Sequence, residues 1–297
     1  GGPVKVWIDG AVVDGAEARV PVTDHGFLYG DGVFEGMRVY SRRVFRLERH
    51  LRRIATGARA IGLEIPGGAA SLGPVVLETA RAFGADDAYV RLVVSRGEGA
   101  LGVDPTTCPT PRVVCIVDRI RLWPDEVRRR GLALATSSLR RPAPSVLDPR
   151  VKSLNYLNNA LAKLEARRAG ADEALLLNAA GLVAEASVAN VFAVLEGRLV
   201  TPPPTDGALE GITREAVLEL AADAGIPTAE RSLGRFDLLA ADEVFLTGAG
   251  AGVAPVGSLD GARIGGGAPP GPVTARLAAD FERLARRDGA AGTPLDG

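Results

Sequence analysis

Lysine is scarce in this chain, so the positions it occupies are informative. Of the 35 basic residues only Lys5, Lys152 and Lys163 are lysines, and the others are arginines. Arginine works as well on a solvated surface, but it cannot supply a primary amine that loses its proton. Lys152 follows a proline-rich loop and precedes a predicted helix, whereas Lys5 and Lys163 fit surface positions. We therefore consider Lys152 the candidate for an amine that attacks a carbonyl group; the alternative is an ordinary lysine at a loop–helix junction.

Two glycine-containing turns have the chemistry to bind anions. Gly211 precedes a predicted helix that begins at Ile212, where free amides and the helix dipole favour a phosphate and the Thr213 hydroxyl adds a donor. An ordinary helix start is the alternative. The second turn, Gly248–Gly252, follows a predicted buried strand, and its small residues let a ligand approach the backbone. It is not a dinucleotide-binding fingerprint, because its spacing differs and Pro255 follows without a helix.

A carboxylate ends one of the predicted strands. Glu185 follows the strand Leu182–Ala184, and the next residues are small and uncharged. A carboxylate beside a pyridine nitrogen keeps that nitrogen protonated, which makes the ring an electron sink. A strand-end glutamate that faces water is the alternative.

Other site chemistries find little support in the sequence. The cysteines Cys108 and Cys115 and the histidines His25 and His50 have no spacing that resembles a zinc site, so no metal is expected. The two cysteines are expected to be reduced, buried packing residues of a cytoplasmic protein. No serine-nucleophile elbow is present.

The composition indicates a globular protein of two domains. The chain has 297 residues, 46% of them hydrophobic, and a net charge of −1. A pI near 6.3 without a basic run argues against nucleic acid as a partner. We expect no membrane association, since no apolar stretch is long enough to span a bilayer and no signal-peptide pattern opens the sequence.

The first part of the chain has the pattern of an antiparallel sheet with helices. A hairpin is predicted at Val4–Ile8 and Ala11–Val13 around Asp9-Gly10, and a second one at Val33–Tyr40 and Val44–Phe45. Apolar spacing and β-branched runs predict two helices and two strands, at Leu47–Ile61, Ser71–Phe83, Ala88–Ser95 and Val113–Val117. The charged segment 120–130 interrupts the pattern and is expected to be a linker between domains 1–119 and 131–297.

The second part mixes short strands with helices. A helix is predicted over Asn155–Ala169, with Leu157, Leu161 and Leu164 on one side. The remaining predicted elements are strands at Leu132–Ser137, Ala174–Leu177, Leu182–Ala184, Val191–Leu195, Arg198–Val200 and Val244–Thr247, and helices at Ile212–Ala224 and Pro272–Arg287. A flexible tail composed largely of Gly, Ala, Thr and Pro follows. Because the strands and helices do not alternate regularly, an α+β fold is favoured over a doubly wound sheet.

Taken together and in order, seven stretches resemble the class IV aminotransferases, the fold type IV pyridoxal-phosphate enzymes. They are HGFLYGDGVFEGMRVY (25–40), FRLERHLRRI (45–54), AYVRLVVSRG (88–97), VKSLNYLNNALAK (151–163), LVAEASVANVF (182–192), LEGITREAVLELA (209–221) and ADEVFLTGAG (241–250). The resemblance covers nearly the whole chain. It implies an N-terminal α/β sandwich domain and a C-terminal barrel-like domain that carries the cofactor lysine.

The resemblance also implies roles around a pyridoxal 5′-phosphate cofactor. Lys152 would hold the cofactor covalently and then move a proton between the substrate Cα and cofactor C4′. Tyr156 would bond the ring hydroxyl, Glu185 would pair with the pyridine nitrogen, and Leu209 would pack against the ring. The phosphate would be bound by Arg53 and by the backbone at Ile212 and Thr213, with Ala249 in the same region.

On the substrate side the resemblance implies a pocket that takes both amino and 2-oxo acids. Backbone amides at Ala249 and Gly250 would bind the α-carboxylate. The loop Gly99–Asp104, which includes Val103, would reach the neighbouring subunit's site, so a homodimer or a higher homo-oligomer is expected. The residues of the pocket would be Tyr29, Phe34, Gly36, Arg38, Tyr89 and Arg91.

Within the family, Phe34–Arg38 and Tyr89–Arg91 look most like branched-chain aminotransferases, which exchange the amino group of L-leucine, L-isoleucine or L-valine with 2-oxoglutarate. Three positions depart from that pattern: Ala249 replaces a usual threonine, and Val188 and Gly252 stand where glycine and glutamate are common. A D-amino-acid aminotransferase and an aminodeoxychorismate lyase of the same fold therefore stay as alternatives. So do a non-catalytic binding protein of that fold and, less favoured, an NAD-dependent oxidoreductase.

Overall fold

The computed structural model describes residues 3–286 and 291–296, and the chain folds as two compact units. The first unit comprises Gly1–Ile120, Val151–Asn155 and Ala285–Gly297, and the second comprises Arg121–Arg150 and Tyr156–Leu284. The residues expected to form a linker thus fall mostly in the second unit. The short segment that contains Lys152 belongs to the first, whereas we expected 131–297 to be continuous.

The first unit is built on a seven-stranded sheet whose neighbouring strands are all antiparallel. Its elements are β1 (Lys5–Ile8), β2 (Ala11–Asp14), α1 (His25–Tyr29), β3 (Gly32–Tyr40), β4 (Arg43–Phe45), α2 (Leu47–Ala60), α3 (Leu72–Phe83), β5 (Ala88–Ser95), β6 (Arg112–Asp118) and β16 (Gly292–Pro294), with short 3₁₀ turns at Ala69–Ser71 and Pro105–Thr107. The strand order is β16-β4-β3-β5-β6-β1-β2.

Both predicted hairpins are confirmed, and each has the left-handed turn that a two-residue connection requires. Asp9 and Gly10 have φ angles of 51° and 89° between β1 and β2, and Ser41 and Arg42 have φ angles of 48° and 59° between β3 and β4. Positive φ at both central residues matches the twist of the flanking strands. The second turn therefore fixes the register between β4 and β3, the strand that carries candidate site residues.

Helices α2 and α3 cover one face of this sheet and close the first core. The apolar spacing predicted on α2 is confirmed, because Leu47, Leu51 and Ile54 are buried against the inward side chains of the sheet. Strand β3 contributes Val33 and Met37 to the same core. By the two-residue alternation of a strand, the side chains of Phe34 and Arg38 lie on its opposite face, with Gly36 between them.

The second unit contains a mixed, nine-stranded sheet that forms a half-barrel. Its elements are α4 (Asp125–Arg130), β7 (Leu132–Arg140), α5 (Pro144–Leu147), α6 (Leu157–Arg168), β8 (Glu173–Leu177), β9 (Val183–Ala186), β10 (Asn190–Leu195), β11 (Arg198–Thr201), α7 (Ile212–Asp223), β12 (Thr228–Glu230), α8 (Arg235–Ala240), β13 (Glu243–Gly248), β14 (Gly252–Leu259), β15 (Ala262–Arg263) and α9 (Pro272–Arg286), with a 3₁₀ turn at Pro204–Asp206. The strand order is β12-β11-β10-β13-β14-β7-β8-β9, and β15 pairs with β14.

Parallel and antiparallel pairs coexist in the second sheet. Strand β7 lies parallel to both β14 and β8, and β11 lies parallel to β12, while the other pairs are antiparallel. The inward side chains form the second hydrophobic core around Trp123, Leu132 and Val191. The α+β assignment is confirmed for a chain whose two sheets each pack against helices.

Two elements have features that the sequence pattern does not report. The expected linker contains α4, which has no buried residue and so no apolar spacing to detect; its acidic first turn and basic last turn suit the helix dipole. On α6 the side that packs inward is made of Asn159, Ala162 and Ala166, while Leu157 is 70% exposed. Small residues let α6 approach the sheet closely, so the leucine side faces outward.

The described part of the tail that was predicted to be flexible contains a strand. Gly292–Pro294 form β16, which pairs with Arg43–Phe45 of β4 instead of staying flexible. Backbone pairing at the sheet edge does not depend on side-chain hydrophobicity. The closing helix ends at Arg286 within the described residues, and Arg287, predicted as its last residue, lies outside them. None of the helices described is both long and apolar enough to cross a membrane.

Candidate active site

Lys152 is held against β3 of the first unit by its own backbone. The carbonyl of Lys152 accepts a hydrogen bond of 2.9 Å from the Phe34 amide, and the Leu154 amide donates to the carbonyl of Gly32 at 3.0 Å. The side chain is half-buried, and its Nζ lies 4.2 Å from the centroid of the Phe34 ring. Although the sequence places Lys152 in a loop, the amine is therefore carried by a segment fixed to a sheet.

The side chains predicted to form the substrate pocket share one face of β3 and β5. In this antiparallel pair Gly36 lies opposite Arg91 and Arg38 lies opposite Tyr89. Directly opposed residues point to the same side of a sheet. Phe34 precedes Gly36 by two residues and shares that side, so the first unit brings all five of these residues together.

Gly36 leaves the space that Tyr89 fills. A Cβ atom at Gly36 would lie 2.2 Å from the Tyr89 hydroxyl oxygen, so any side chain there would displace the tyrosine. The same hydroxyl accepts a hydrogen bond of 3.2 Å from Nη2 of Arg91, whose guanidinium stacks 4.4 Å from the centroid of the Phe34 ring. Aromatic and cationic groups are thereby combined in one cluster.

The two arginines on this face retain unsatisfied hydrogen-bonding capacity. Within the described residues, the Nε atoms of Arg38 and Arg91 are buried and have no hydrogen-bond partner. A buried guanidinium donor without an acceptor costs free energy, and a carboxylate accepts from such a group well. This face is suited to an acid whose carboxylate is bound by the arginines and whose apolar side chain packs against the aromatic rings.

Arg53 lies on α2 and forms a two-point ion pair with Glu35. Its Nε donates to Oε1 of Glu35 and its Nη2 donates to Oε2, both at 2.7 Å. His50 Nδ1 lies 2.6 Å from the same Oε2. Burial alone raises the pKa of Glu35, but Arg53 and His50 outweigh it and hold that pKa well below its usual range. Glu35 therefore stays ionised and fixes the plane of the Arg53 guanidinium. Phosphate binding by Arg53 stays a prediction.

Tyr29 and the loop that follows β5 are tied together. The Gly102 amide donates to the Tyr29 hydroxyl at 2.8 Å, and His25 Nε2 lies 2.9 Å from the carbonyl oxygen of Ala100. Val103, on the same loop, is 79% exposed. The structure thus gives the predicted loop a fixed base and an exposed apolar tip.

In the second unit Glu185 is a buried carboxylate with both oxygens engaged. Nη2 of Arg141 lies 2.9 Å from its Oε1, and the Leu209 amide donates to its Oε2 at 2.9 Å. The alternative of a strand-end glutamate facing water is excluded by this burial. Leu209 is held in turn, because its carbonyl accepts from Nδ2 of Asn190 at 2.9 Å.

The predicted phosphate turn opens a helix that no side chain caps. Gly211 is the N-cap of the twelve-residue α7 and has no side chain to bond the first amides. A Cβ at Gly211 would lie 2.0 Å from the Asn190 carboxamide oxygen, so glycine is needed there. Ile212 and Thr213 are both buried at the helix start. This arrangement has the polarity and donors that favour an anion.

The second predicted turn connects β13 to β14. Ala249 and Gly250 are half-buried at its tip, and Arg128 fixes its far side by donating to the carbonyl of Ala251 at 2.7 Å. Gly252 has a φ of 61°, a conformation in which a glutamate would be strained. Tyr156 precedes the first residue of α6 as its N-cap and is half-buried.

Several residues with a clear place in these clusters were not recognised from the sequence. Glu35 and His50 support Arg53, Arg141 supports Glu185, and Asn190 supports Leu209. A buried polar side chain leaves a weak signal in a single sequence, because its type also suits a surface.

Lys163 differs from its predicted surface role. Its Nζ donates to Oε2 of Glu173 at 2.6 Å and to the carbonyl of Asp172 at 2.7 Å, and Glu173 is completely buried.

Of the two cysteines, Cys115 is buried and burial raises its pKa to about 12, while Cys108 is half-buried. In the part of the chain that the structure describes, no group of side chains is arranged to hold a metal ion.

Comparisons with known proteins identify the family to which this chain belongs. The model of the class IV aminotransferase family matches residues 32–259. A protein of Methanocaldococcus jannaschii, provisionally named a branched-chain-amino-acid aminotransferase, is 43% identical over 95% of this chain and 96% of its own length. The branched-chain-amino-acid aminotransferase of Escherichia coli K12 is 34% identical over 93% of this chain and 91% of its own.

A solved structure extends the likeness to three dimensions. The branched-chain amino acid aminotransferase of T.th., crystallised with pyridoxamine 5′-phosphate, superposes with a TM-score of 0.93 and is 36% identical. The match covers 98% of both chains. The two-unit architecture described above is therefore that of a fold type IV aminotransferase.

Proposed function

Since this chain belongs to the class IV aminotransferase family, we propose that it is a pyridoxal-phosphate-dependent branched-chain-amino-acid aminotransferase. It would exchange the amino group of L-leucine, L-isoleucine or L-valine with 2-oxoglutarate in two half-reactions. The observation that carries the proposal is the cluster on β3 and β5, where the Lys152 amine and the Arg91 guanidinium both lie against the Phe34 ring. One amine and one anion-binding group beside an aromatic wall suit an amino acid with an apolar side chain.

The residues present fit pyridoxal phosphate by their chemistry. Lys152 supplies a primary amine, Glu185 a buried carboxylate, and Thr213 lies in the first turn of a helix whose N-cap lacks a side chain. These are the groups that an aldehyde, a ring nitrogen and a phosphate require. We propose that these residues serve one cofactor, with Tyr156 at the ring hydroxyl and Leu209 at the ring face.

Each of these residues has one task in the proposed reaction. The bound cofactor supplies an aldehyde that takes up the amino group and a ring that accepts the electrons of the breaking Cα–H bond. The Nζ of Lys152 would be the group that holds the cofactor's aldehyde carbon, and as a free amine it would move the proton at the substrate Cα. The buried Glu185 carboxylate would accept a hydrogen bond from the protonated ring nitrogen. Arg53 and the amides of Ile212 and Thr213 bind the phosphate.

The proposed pocket accepts two different acids at one place. Phe34 and Tyr89 provide aromatic walls for a branched aliphatic side chain, and the amides of Ala249 and Gly250 bind the α-carboxylate. Arg38 and Arg91 bind the second carboxylate of 2-oxoglutarate. Their buried Nε atoms, which lack partners among the described residues, support that role.

Two other activities of the same fold are kept as alternatives because of the departures from the branched-chain pattern. Ala249 lacks a hydroxyl, and Gly252 adopts a left-handed conformation in place of a glutamate. Val188 is 47% exposed, so a side chain is tolerated there without filling a core. A D-amino-acid aminotransferase or an aminodeoxychorismate lyase would follow if these positions changed the specificity.

Steady-state assays separate the three activities. With 2-oxoglutarate as acceptor, we expect L-leucine to give L-glutamate and D-alanine to give no product. We expect no pyruvate from aminodeoxychorismate. Transfer from D-alanine alone, or release of pyruvate from aminodeoxychorismate, would overturn the branched-chain proposal while leaving the family assignment in place.

We also propose a homodimer in which the loop Gly99–Asp104 contributes to the partner's site. The exposed side chains of Leu101 and Val103, about four-fifths accessible, support this proposal. The variants Leu101→Asp and Val103→Asp should sediment as monomers with reduced activity.

The proposed compartment is the cytoplasm, since Cys108 and Cys115 form no disulfide in the described segments.

A further inference from the structure

A chain of buried polar contacts leads away from Glu185 into the second unit. Its first link is Arg141, which follows β7 and is 8% exposed. Nη2 of Arg141 pairs with the Glu185 carboxylate at 2.9 Å, and its Nε lies 3.4 Å from the carbonyl oxygen of Gly207. The Arg141 amide donates to the carbonyl of Leu177 at 2.9 Å, so its backbone is anchored too.

Asn159 on α6 fixes the other edge of the same guanidinium. Its Oδ1 accepts from Nη1 of Arg141 at 3.0 Å, and its Nδ2 donates to the carbonyl of Ser187 at 2.7 Å. Asn159 and Ser187 are both buried. Arg141 is therefore held on two sides, and little freedom is left to the group that faces Glu185.

The far end of this series of polar contacts gives Lys163 a structural role. The Ser187 hydroxyl donates to Oε1 of Glu173, and Lys163 donates to Oε2 of the same carboxylate at 2.6 Å. Glu173 and Ser187 thereby lock the turn between β9 and β10, whose carbonyl holds Asn159. The sequence singled out Lys163 without a role, and the structure gives it one as the outer anchor of this network.

We propose that Arg141, held in place by Asn159, is a positioning residue that keeps the Glu185 carboxylate ionised and in a single orientation, so that it can pair with the cofactor's ring nitrogen. This inference rests on the proposed function. A carboxylate buried without a counter-charge is strongly disfavoured and takes up a proton or turns toward water. In either case the ring nitrogen loses its acceptor, although every group that touches the cofactor is still present.

The experiment compares two ligands that differ at the ring nitrogen alone. Apparent dissociation constants of pyridoxal phosphate and of its 1-deaza analogue are measured by equilibrium dialysis with the wild-type protein and the Arg141→Met variant. We expect the variant to bind pyridoxal phosphate about 10- to 100-fold more weakly, the range for a hydrogen bond to a charged group. Binding of the analogue, which has no nitrogen to protonate, should change less than about threefold.

Arg140→Met is the matched control, since Arg140 is exposed and donates to the carbonyls of Ser137 and Ser138. It should leave both constants unchanged. Arg141→Lys, which keeps the charge without the fork, should recover part of the loss. Should Arg141→Met fail to fold, Asn159→Ala provides the same comparison with a smaller effect.

Equal weakening for both ligands would show a merely structural role and overturn the inference, as would no weakening for either. A wild-type protein that binds neither ligand would instead overturn the proposed function, and the inference with it. The two failures are thus distinguishable by the wild-type measurement alone.

Discussion

At the scale of single residues, Gly36 controls whether Tyr89 can occupy its place beside Arg91. A methyl group at Gly36 would meet the Tyr89 hydroxyl at 2.2 Å and push the ring into the pocket. We predict that Gly36→Ala lowers kcat/KM for L-leucine about tenfold or more, the usual effect of one methyl group in a substrate pocket. The measurement is steady-state kinetics of the purified variant.

A second glycine of the first unit provides the control for this substitution. A Cβ at Gly57 on α2 would meet Val33 at 3.5 Å, an ordinary contact. Gly57→Ala should therefore keep the wild-type kcat/KM and, as a helix position, keep or raise the melting temperature. Equal kinetics for both variants would show that Tyr89 does not line the pocket.

His50 makes the stability of the first unit depend on pH. Burial lowers the pKa of His50 from its ordinary value of 6.5 by more than the neighbouring Glu35 raises it. Since the unfolded chain then binds the proton more readily than the folded one, the contribution of neutral His50 to stability is fully present above pH 6.5. It is lost as the pH falls from 6.5 through the lowered pKa of the folded state. We predict a lower melting temperature at about pH 5.5 than at about pH 7.5, with a smaller difference for His50→Gln. An identical difference in the two proteins would contradict this role.

A site residue can be predicted from the sequence when the pattern that reveals it lies in the residues next to it. Lys152 stood out because lysine is rare, and Thr213 because a helix start is visible in the sequence. Arg141 and Asn159 gave no comparable signal, because their partners lie at Glu185 and Ser187, far along the chain. A buried contact between distant residues has no spacing that a single sequence can display.

At the scale of elements, the pair Lys163–Glu173 joins α6 to β8. Glu173 is completely buried, and Lys163 is the cation that pairs with its carboxylate. We predict that Lys163→Met lowers the unfolding free energy by about 3–5 kcal/mol, the usual cost of leaving a buried charge without its partner. Urea titration followed by circular dichroism gives this value, and adding Glu173→Gln should restore part of it.

The other lysine ion pair offers a direct control. Lys5 and Asp14 lie 2.6 Å apart across the β1–β2 hairpin, and Asp14 is 47% exposed. Lys5→Met should cost no more than about 1 kcal/mol, because solvent screens such pairs. If Lys163→Met cost as little as Lys5→Met, the proposed anchor of the polar network would be refuted.

Elements could be predicted where the local pattern and the tertiary packing agree. The hairpins and α2 show this agreement, since their turns and apolar spacing are the ones the core uses. On α6 the two disagree, because the close approach of Ala162 to the sheet outweighs the hydrophobicity of Leu157. Strand β14 was missed since its glycines and proline obscure the alternation, although it pairs along most of β13.

At the scale of the whole molecule, the ordered set of motifs gave the fold class and family that the comparisons bear out. The course of the chain through the two units was harder to predict. Val151–Asn155 returns to the first unit because its backbone bonds to β3, and no side-chain pattern reports such a pairing. The same contact carries Lys152 to Phe34, so the fold and the proposed chemistry depend on one feature.

The most direct test of the central claim is the visible absorption spectrum of the cofactor-loaded protein during a single addition of L-leucine without an acceptor. The account predicts a band of cofactor bound through Lys152, which L-leucine converts to the pyridoxamine form and 2-oxoglutarate then restores. Lys152→Ala should show no such band while keeping the wild-type circular dichroism. A band that persists in Lys152→Ala, or one that L-leucine leaves unchanged in the wild type, would contradict the account.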